Sequence, residues 1–372
     1  MRNLFFLMLT LGVVVGAWQV ARHKAPTTEI VSADFLPGFL AKVNDTTSIE
    51  VKSKDGDLVI ARQGEHWVAK SYDDYPVKSD TVKQALVQLA SLKIVEAKTS
   101  KPEKYAQIGV EEVTAPTASG RLVTLKTKDA TQASVIIGKQ HPAKGASAPR
   151  YYVRRAGEPS ATLVEGDLTF SGKANDWVDT AVVDLPVERV HQVTVVPQGE
   201  SPIVVSKASP EVQLYDLAQV PAGFEVKARA TVSSIGGVLL DVKFERVIAA
   251  GKLAGLTPSA VATVETFDGL TATVARYDFN SAAYLTFKFS HTPEKAVASK
   301  PPQPATKDSP SPPPSALKTP EEVAKEVTAL NTKLNAWAYG LPEYKSRLLE
   351  KKLAELITKK APPAKASGKV KK

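Results

Sequence analysis

Between Ile49 and Ala97 the apolar positions first alternate along a strand period and then space out along a helical one. Ile49 and Val51 alternate with Glu50 and Lys52, the two-residue period of a half-buried strand. Lys54-Asp55-Gly56-Asp57 is a turn cluster in which Gly56 takes positive φ without steric cost. Leu58-Val59-Ile60 resumes a strand, Gln63-Gly64-Glu65 turns the chain, and Trp67 and Ala69 begin a third strand. Pro76 biases Tyr75 away from helical dihedrals, so a helix is expected after it. Ser79 suits its N-cap, and Asp80 suits the positive helix end. Val82, Ala85, Leu86 and Leu89 then form one apolar stripe. A short meander with a helix packed on one face buries both surfaces. Trp67 fits a helix–sheet contact or a ligand platform, and the pattern leaves both open.

Strands are expected at Leu122–Leu125, Ala133–Ile137, Tyr151–Val153 and Ala161–Val164, with a polar loop from Gly138 to Pro149. Later the pattern returns weakly. Val193-Thr194-Val195 echoes Ile49-Glu50-Val51, and Ile203–Val205 echoes Leu58–Ile60. Phe224–Lys227 echoes Tyr75–Lys78, and Val232, Ile235, Leu239 and Val242 stand where a second helix is expected. Gly236-Gly237 falls inside that helix, where each glycine costs about 1 kcal/mol relative to alanine. Chance similarity of short strands is the alternative to duplication. Val261–Thr266 and Leu270–Val274 read as a hairpin around Asp268-Gly269. The expected class is α+β, with two tandem, weakly repeated modules of antiparallel sheet and packed helix over residues 29–185 and 186–291.

Residues 292–318 are rich in Pro, Ser, Ala and Lys and read as a semi-rigid linker. Thr319-Pro320-Glu321-Glu322 is a helix start with Pro at N1 and Glu at N3. Val323, Val327, Leu330, Leu334 and Trp337 continue it, and Gly340 and Pro342 break it. Tyr344, Leu348, Leu349, Leu353 and Leu356 suggest a second helix, giving a C-terminal helical pair over 319–357 and a basic tail over 358–372.

At the other end, Leu4 to Val20 carries no charge, a run at the short limit for a membrane span. It follows Arg2 and lacks a clean A-x-A site, so residues 1–28 read as an N-terminal membrane helix, with a cleaved signal as the alternative. Arg2 is balanced by Arg22 and Lys24, so placing the bulk outside the cytoplasm rests on the signal-like start. The absence of cysteine excludes disulfides and thiolate metal sites and fits a periplasmic protein. The net charge is +9, but its excess sits at the ends: Arg2, Arg22 and Lys24, and six lysines from Lys359 to Lys372 without an acid among them. A folded nucleic-acid surface is therefore not expected. Membrane lipid is the expected partner, through the N-terminal helix.

Candidate chemistry is sparse. None of the 5 histidines has another metal-ligand type at coordinating spacing. Gly138-Lys139 lacks the upstream glycine of a phosphate loop, and no G-x-S-x-G elbow occurs. Asp73-Asp74 and Glu111-Glu112 are neighbouring acids of the kind that point into solvent from turns. No catalytic, cofactor-binding or metal-ligating residue and no cofactor is expected. Trp67, Tyr152 and Trp177 are the candidates for ligand or partner contact.

The order of several short motifs adds a resemblance. Phe35-Leu36-Pro37-Gly38, Trp67-Val68, Tyr75-Pro76-Val77, Tyr105 with Ile108-Gly109-Val110, Tyr152-Val153-Arg154 and Trp177-Val178-Asp179 stand in the first half. Asp268-Gly269-Leu270 and Trp337-Ala338-Tyr339-Gly340-Leu341-Pro342-Glu343-Tyr344-Lys345 stand in the second. Together they resemble the bacterial family of domain of unknown function 4340. That resemblance implies an anchored, mostly extracytoplasmic α+β protein, some of whose relatives are associated with ABC transporter components, and the expected location is the bacterial inner membrane, single-pass, with the bulk in the periplasm. It supplies no catalytic residues. The expected function is non-enzymatic, as an accessory to a transporter or similar membrane protein complex of the envelope. The alternative is a periplasmic ligand- or polymer-binding domain.

Overall fold

The computed structural model describes residues 33–142, 148–296 and 317–360. The expected membrane helix at Met1–Val20, most of the proline-rich stretch and the tail beyond Lys360 lie outside them. Among the described residues, no helix is long and apolar enough to cross a membrane. The architecture is mixed α+β, with several antiparallel sheets and few helices. The chain forms two compact units. Unit one holds Val82–Gly172 with the described residues up to Asp57, and unit two holds Leu58–Thr81 with those from Lys173 onward. Leu58–Thr81, read from sequence as part of the first module, thus belongs to the second unit.

The chain begins with strands β1 (Ser48–Ser53), β2 (Gly56–Gln63), β3 (His66–Ala69) and β4 (Tyr75–Val77), then helix α1 (Ser79–Ala90). Strand β5 (Lys93–Thr99), the helical turn α2 (Tyr105–Ile108), and strands β6 (Arg121–Lys126), β7 (Thr131–His141), β8 (Arg150–Arg155) and β9 (Ala161–Glu165) follow. In unit one the order β1-β6-β7-β8-β9-β5 is antiparallel throughout. Ile49, Val51, Val123, Leu125, Val135 and Ile137 are buried, as their alternation requires. The α1 stripe of Val82, Ala85, Leu86 and Leu89 is buried too. Strand β7 continues to His141, past the expected loop start at Gly138. Two glycines explain how the α2 turn lies directly on this sheet. A Cβ on Gly138 would stand 2.4 Å from the Ile108 carbonyl oxygen, and one on Gly120 would stand 2.2 Å from that of Gly109.

Unit two begins with the β2-β3-β4 meander. It continues through β10 (Ala181–Val183), β11 (Val190–Pro197), β12 (Ile203–Ser206), β13 (Asp216–Leu217) and β14 (Phe224–Val226) to helix α3 (Arg229–Gly236). Then come β15 (Val242–Lys243), β16 (Arg246–Ala249), β17 (Ala260–Thr266), β18 (Leu270–Phe279) and β19 (Ala282–His291). Helix α4 (Pro320–Leu334), β20 (Trp337–Gly340), the turns α5 (Glu343–Ser346) and α6 (Leu353–Leu356), and β21 (Ile357–Lys359) complete it. The large sheet runs β13-β12-β11-β17-β18-β19-β20-β16. The Asp268-Gly269 hairpin joins β17 to β18 as expected, with Gly269 at φ +85°. Thr319 and Glu322 close the expected capping box on α4.

Two expectations need correction. The C-terminal helical pair does not form: α4 stops at Leu334, and Trp337–Gly340 is a strand between β19 and β16. The second helix is replaced by single turns and by β21, which pairs with β14. Trp and Tyr alternating with Ala and Gly suit a strand buried between two partners, and those partners lie far away in sequence. Helix α3 is also shorter than its apolar spacing implied, ending at Gly236. Leu239 and Val242 lie beyond it.

Candidate binding groove

The aromatic candidates separate by burial. Trp67 on β3 is 9% exposed and Trp177 is 1% exposed, both in unit two. The Trp177 carbonyl accepts the Lys78 N–H at 3.0 Å. Tyr152 on β8, in unit one, keeps part of its ring at the surface and packs on the cluster of Tyr105, Val110, Ile136 and Ala161. The His141 ring meets Tyr152 edge-on at 5.6 Å, and the Lys98 ammonium stands 6.0 Å from its centroid.

Of the neighbouring acids, Asp73, Asp74 and Glu112 are engaged in holding the fold, while both Glu111 carboxylate oxygens are buried without a hydrogen-bond partner among the described residues. Asp73 accepts the Ala249 N–H at 3.0 Å and pairs with Lys252 at 2.7 Å, while Asp74 pairs with Lys70 at 2.8 Å. Tyr72 donates to Asn175 at 2.7 Å, and the Tyr75 ring meets Trp337 edge-on at 4.9 Å. These contacts seat the meander on β16 and β20 within unit two. In unit one Glu112 pairs with Arg154, whose guanidinium also donates to the carbonyls of Val110 and Glu158 and lies 4.7 Å from the Tyr105 ring centroid.

The deepest charges form a closed node. Arg189 donates through Nε to Asp268 at 2.8 Å and through both terminal nitrogens to Glu326 at 2.8 and 2.9 Å. Thr266 donates to the other Asp268 oxygen, and Lys318 pairs with Glu326 at 2.8 Å. Burial disfavours both ionised carboxylates, yet Arg189 and its partners hold both below the usual carboxylate range. Lys207 is buried nearby in the same unit, over the Tyr215 and Phe267 rings, and burial pushes its ammonium below the usual lysine value.

One groove in unit one keeps polar groups facing solvent. It is open to solvent and has a volume of about 950 Å³ between three separated stretches. The first is the turn Leu36–Phe39 with the following 3-10 helix, which brings Lys42 and Asp45 to the rim. Gly38 at φ +73° makes that turn, and Phe35 and Phe39 are buried beneath it. The second is the β6–β7 turn with the start of β7, from Thr127 to Ser134. The third is the end of β8, with Arg155, Ala156 and Glu158. Gln132 ties two walls together, accepting from Thr46 at 2.8 Å and donating to the Lys42 carbonyl at 3.1 Å. Arg155 locks the third wall, donating to the Phe35 carbonyl with its guanidinium 5.2 Å from the Phe35 ring. The arrangement offers an ammonium, a carboxylate, threonine hydroxyls and an apolar lip at Leu36 and Pro37. Sequence reading did not single out these residues; its nearest signal was the Phe35-Leu36-Pro37-Gly38 motif.

A family model matches residues 67–264, more than half of the chain. The chain belongs to the family described as Domain of unknown function (DUF4340). A search of curated proteins found no match. The DUF4340 stretch includes two of the groove's three walls, Thr127–Ser134 and Arg155–Glu158, while the Leu36–Phe39 lip precedes it. Several residues of the resemblance have structural roles here. Tyr105 donates to the Pro159 carbonyl, Gly109 ends α2 at φ +72°, and Arg154 lies against Tyr105.

Proposed function

We propose that this DUF4340 chain is a non-enzymatic, membrane-anchored extracytoplasmic protein that works by binding within an envelope assembly, such as one built on an ABC transporter. The observation that carries the reading is the contrast between its charged groups. Arg189, Asp268, Glu326, Arg154 and Asp73 hold elements together, whereas Lys42 and Asp45 line an open groove. The uncharged run Leu4–Val20, at the short limit for a membrane span, supports the anchor. The weak sequence repeat between residues 29–185 and 186–291 is read as a duplication, because β1, β4 and α1 have counterparts of the same order in β11, β14 and α3.

The test is photo-crosslinking in intact membranes from Leu36 or Thr131, with Leu256 as a unit-two control. A membrane-protein adduct specific to the groove positions supports the reading. Equal labelling from all three sites, or none, contradicts it. The second reading, a periplasmic domain that binds a small ligand or polymer, is favoured by the groove's volume of about 950 Å³. A groove-specific adduct of low mass distinguishes it.

A further inference from the structure

We infer that Leu317–Lys360 is held in unit two by its contacts with the sheet rather than by its covalent connection to β19. Both flanks of residues 297–316 meet the Asp268-Gly269 turn. On the outgoing side, the Thr292 N–H donates to the Gly269 carbonyl at 2.9 Å. A Cβ on Gly269 would stand 3.0 Å from the Thr292 carbonyl oxygen and 3.6 Å from the Ala296 Cβ. On the returning side, the Lys318 N–H donates to Asp268 Oδ2 at 3.1 Å. The ends therefore sit at two successive residues of a single hairpin.

A connection between such neighbours takes two to six residues. The residues present can reach roughly 70 Å when extended, at about 3.5 Å each. The length of the stretch therefore answers to something other than joining β19 to α4.

The arm that follows is bound along its whole course. Asn331 on α4 donates to the Phe289 carbonyl at 2.8 Å and accepts the Phe289 N–H at 2.9 Å. Glu326 receives both terminal nitrogens of Arg189. Strand β20 pairs with β16 from Trp337 to Gly340, and β21 pairs with β14. The Lys345 ammonium donates to the Leu240 carbonyl at 2.6 Å, just past the end of α3. Val323, Leu334, Ala338, Tyr339, Leu349 and Leu356 are buried. Nothing in this set of contacts depends on the chain between Ala296 and Leu317.

Two measurements on the full chain test this. In the first, Ala298–Ser315 is replaced by five Gly/Ser residues, and the melting midpoint is expected to stay within about 3 °C of the parent or to rise, as a shorter closed loop implies. A midpoint lowered by about 10 °C or more overturns the inference. In the second, a protease site is inserted between Pro304 and Ala305, and cleavage is verified on a denaturing gel. The two fragments are expected to co-elute at the parental volume with an unchanged circular dichroism spectrum. Separation of the fragments, or resistance of the inserted site to cleavage, overturns it as well.

Discussion

Arg189 Nε lies 2.8 Å from Asp268 Oδ2, and both side chains are 2% exposed. Glu326 takes the remaining face of the same guanidinium, so the buried cation is fully paired. Such a node adds little over an apolar replacement of all its members, but breaking one member is costly. Arg189→Met leaves Asp268 in the interior with its main countercharge gone. Urea unfolding is expected to show a loss of about 3–5 kcal/mol. A loss below about 1 kcal/mol would mean that water reaches the node.

The same node sets a pH dependence. Asp268 and Glu326 are held below their unfolded values of about 3.9 and 4.3. Folded, they bind fewer protons than unfolded, so their contribution is fully present above about pH 5 and is lost as pH falls through the depressed folded values. The thermal midpoint is expected to be level from pH 5 to 7 and to drop below about pH 4. Glu326→Gln is expected to shallow that drop.

Two adjacent glycines are expected to behave differently. A Cβ on Gly236 would stand 2.4 Å from the Tyr215 ring, whose hydroxyl is fixed on the Val187 and Val190 carbonyls. Gly236→Ala is expected to cost about 2–3 kcal/mol through overpacking. A Cβ on Gly237 would meet Val187 at 3.4 Å, an ordinary contact. Gly237→Ala is expected to change stability by less than about 1 kcal/mol, and equal losses at both positions would contradict the packing.

Asp73 stands at φ +53° while its carboxylate holds Ala249 and Lys252. Asn tolerates that backbone and can still accept from the Ala249 N–H, whereas Ala does neither. Asp73→Ala is expected to cost about 2 kcal/mol and Asp73→Asn less than about 1 kcal/mol, read from chemical unfolding.

Local physics made much of the fold legible. The α1 stripe, the Thr319 cap and the Asp268-Gly269 hairpin each follow from residues within one turn or a few positions. Three features were hidden because they are made by residues far apart in the chain. Trp337 continues the helical spacing of α4, yet the conformation of Trp337–Gly340 is decided by Arg246–Ala249 and Leu285. Gly236 read as a defect in a helix, yet it makes room for Tyr215. The groove draws on residues near 36–45, 127–134 and 155–158, and no single stretch carries its chemistry. Of the aromatic candidates, hydrophobic pattern alone could not separate buried Trp67 and Trp177 from partly exposed Tyr152.

The most direct measurement fills the groove. Thr131 is exposed on the groove wall, so Thr131→Trp occupies that space without entering the core. The full chain carrying it is compared with the parent for co-purification of crosslinked membrane proteins, with the melting midpoint measured in parallel. The expected result is loss of the partner at a midpoint within about 2 °C of the parent. Partner recovery at parental yield from the filled groove would contradict the proposal that this protein works through that surface.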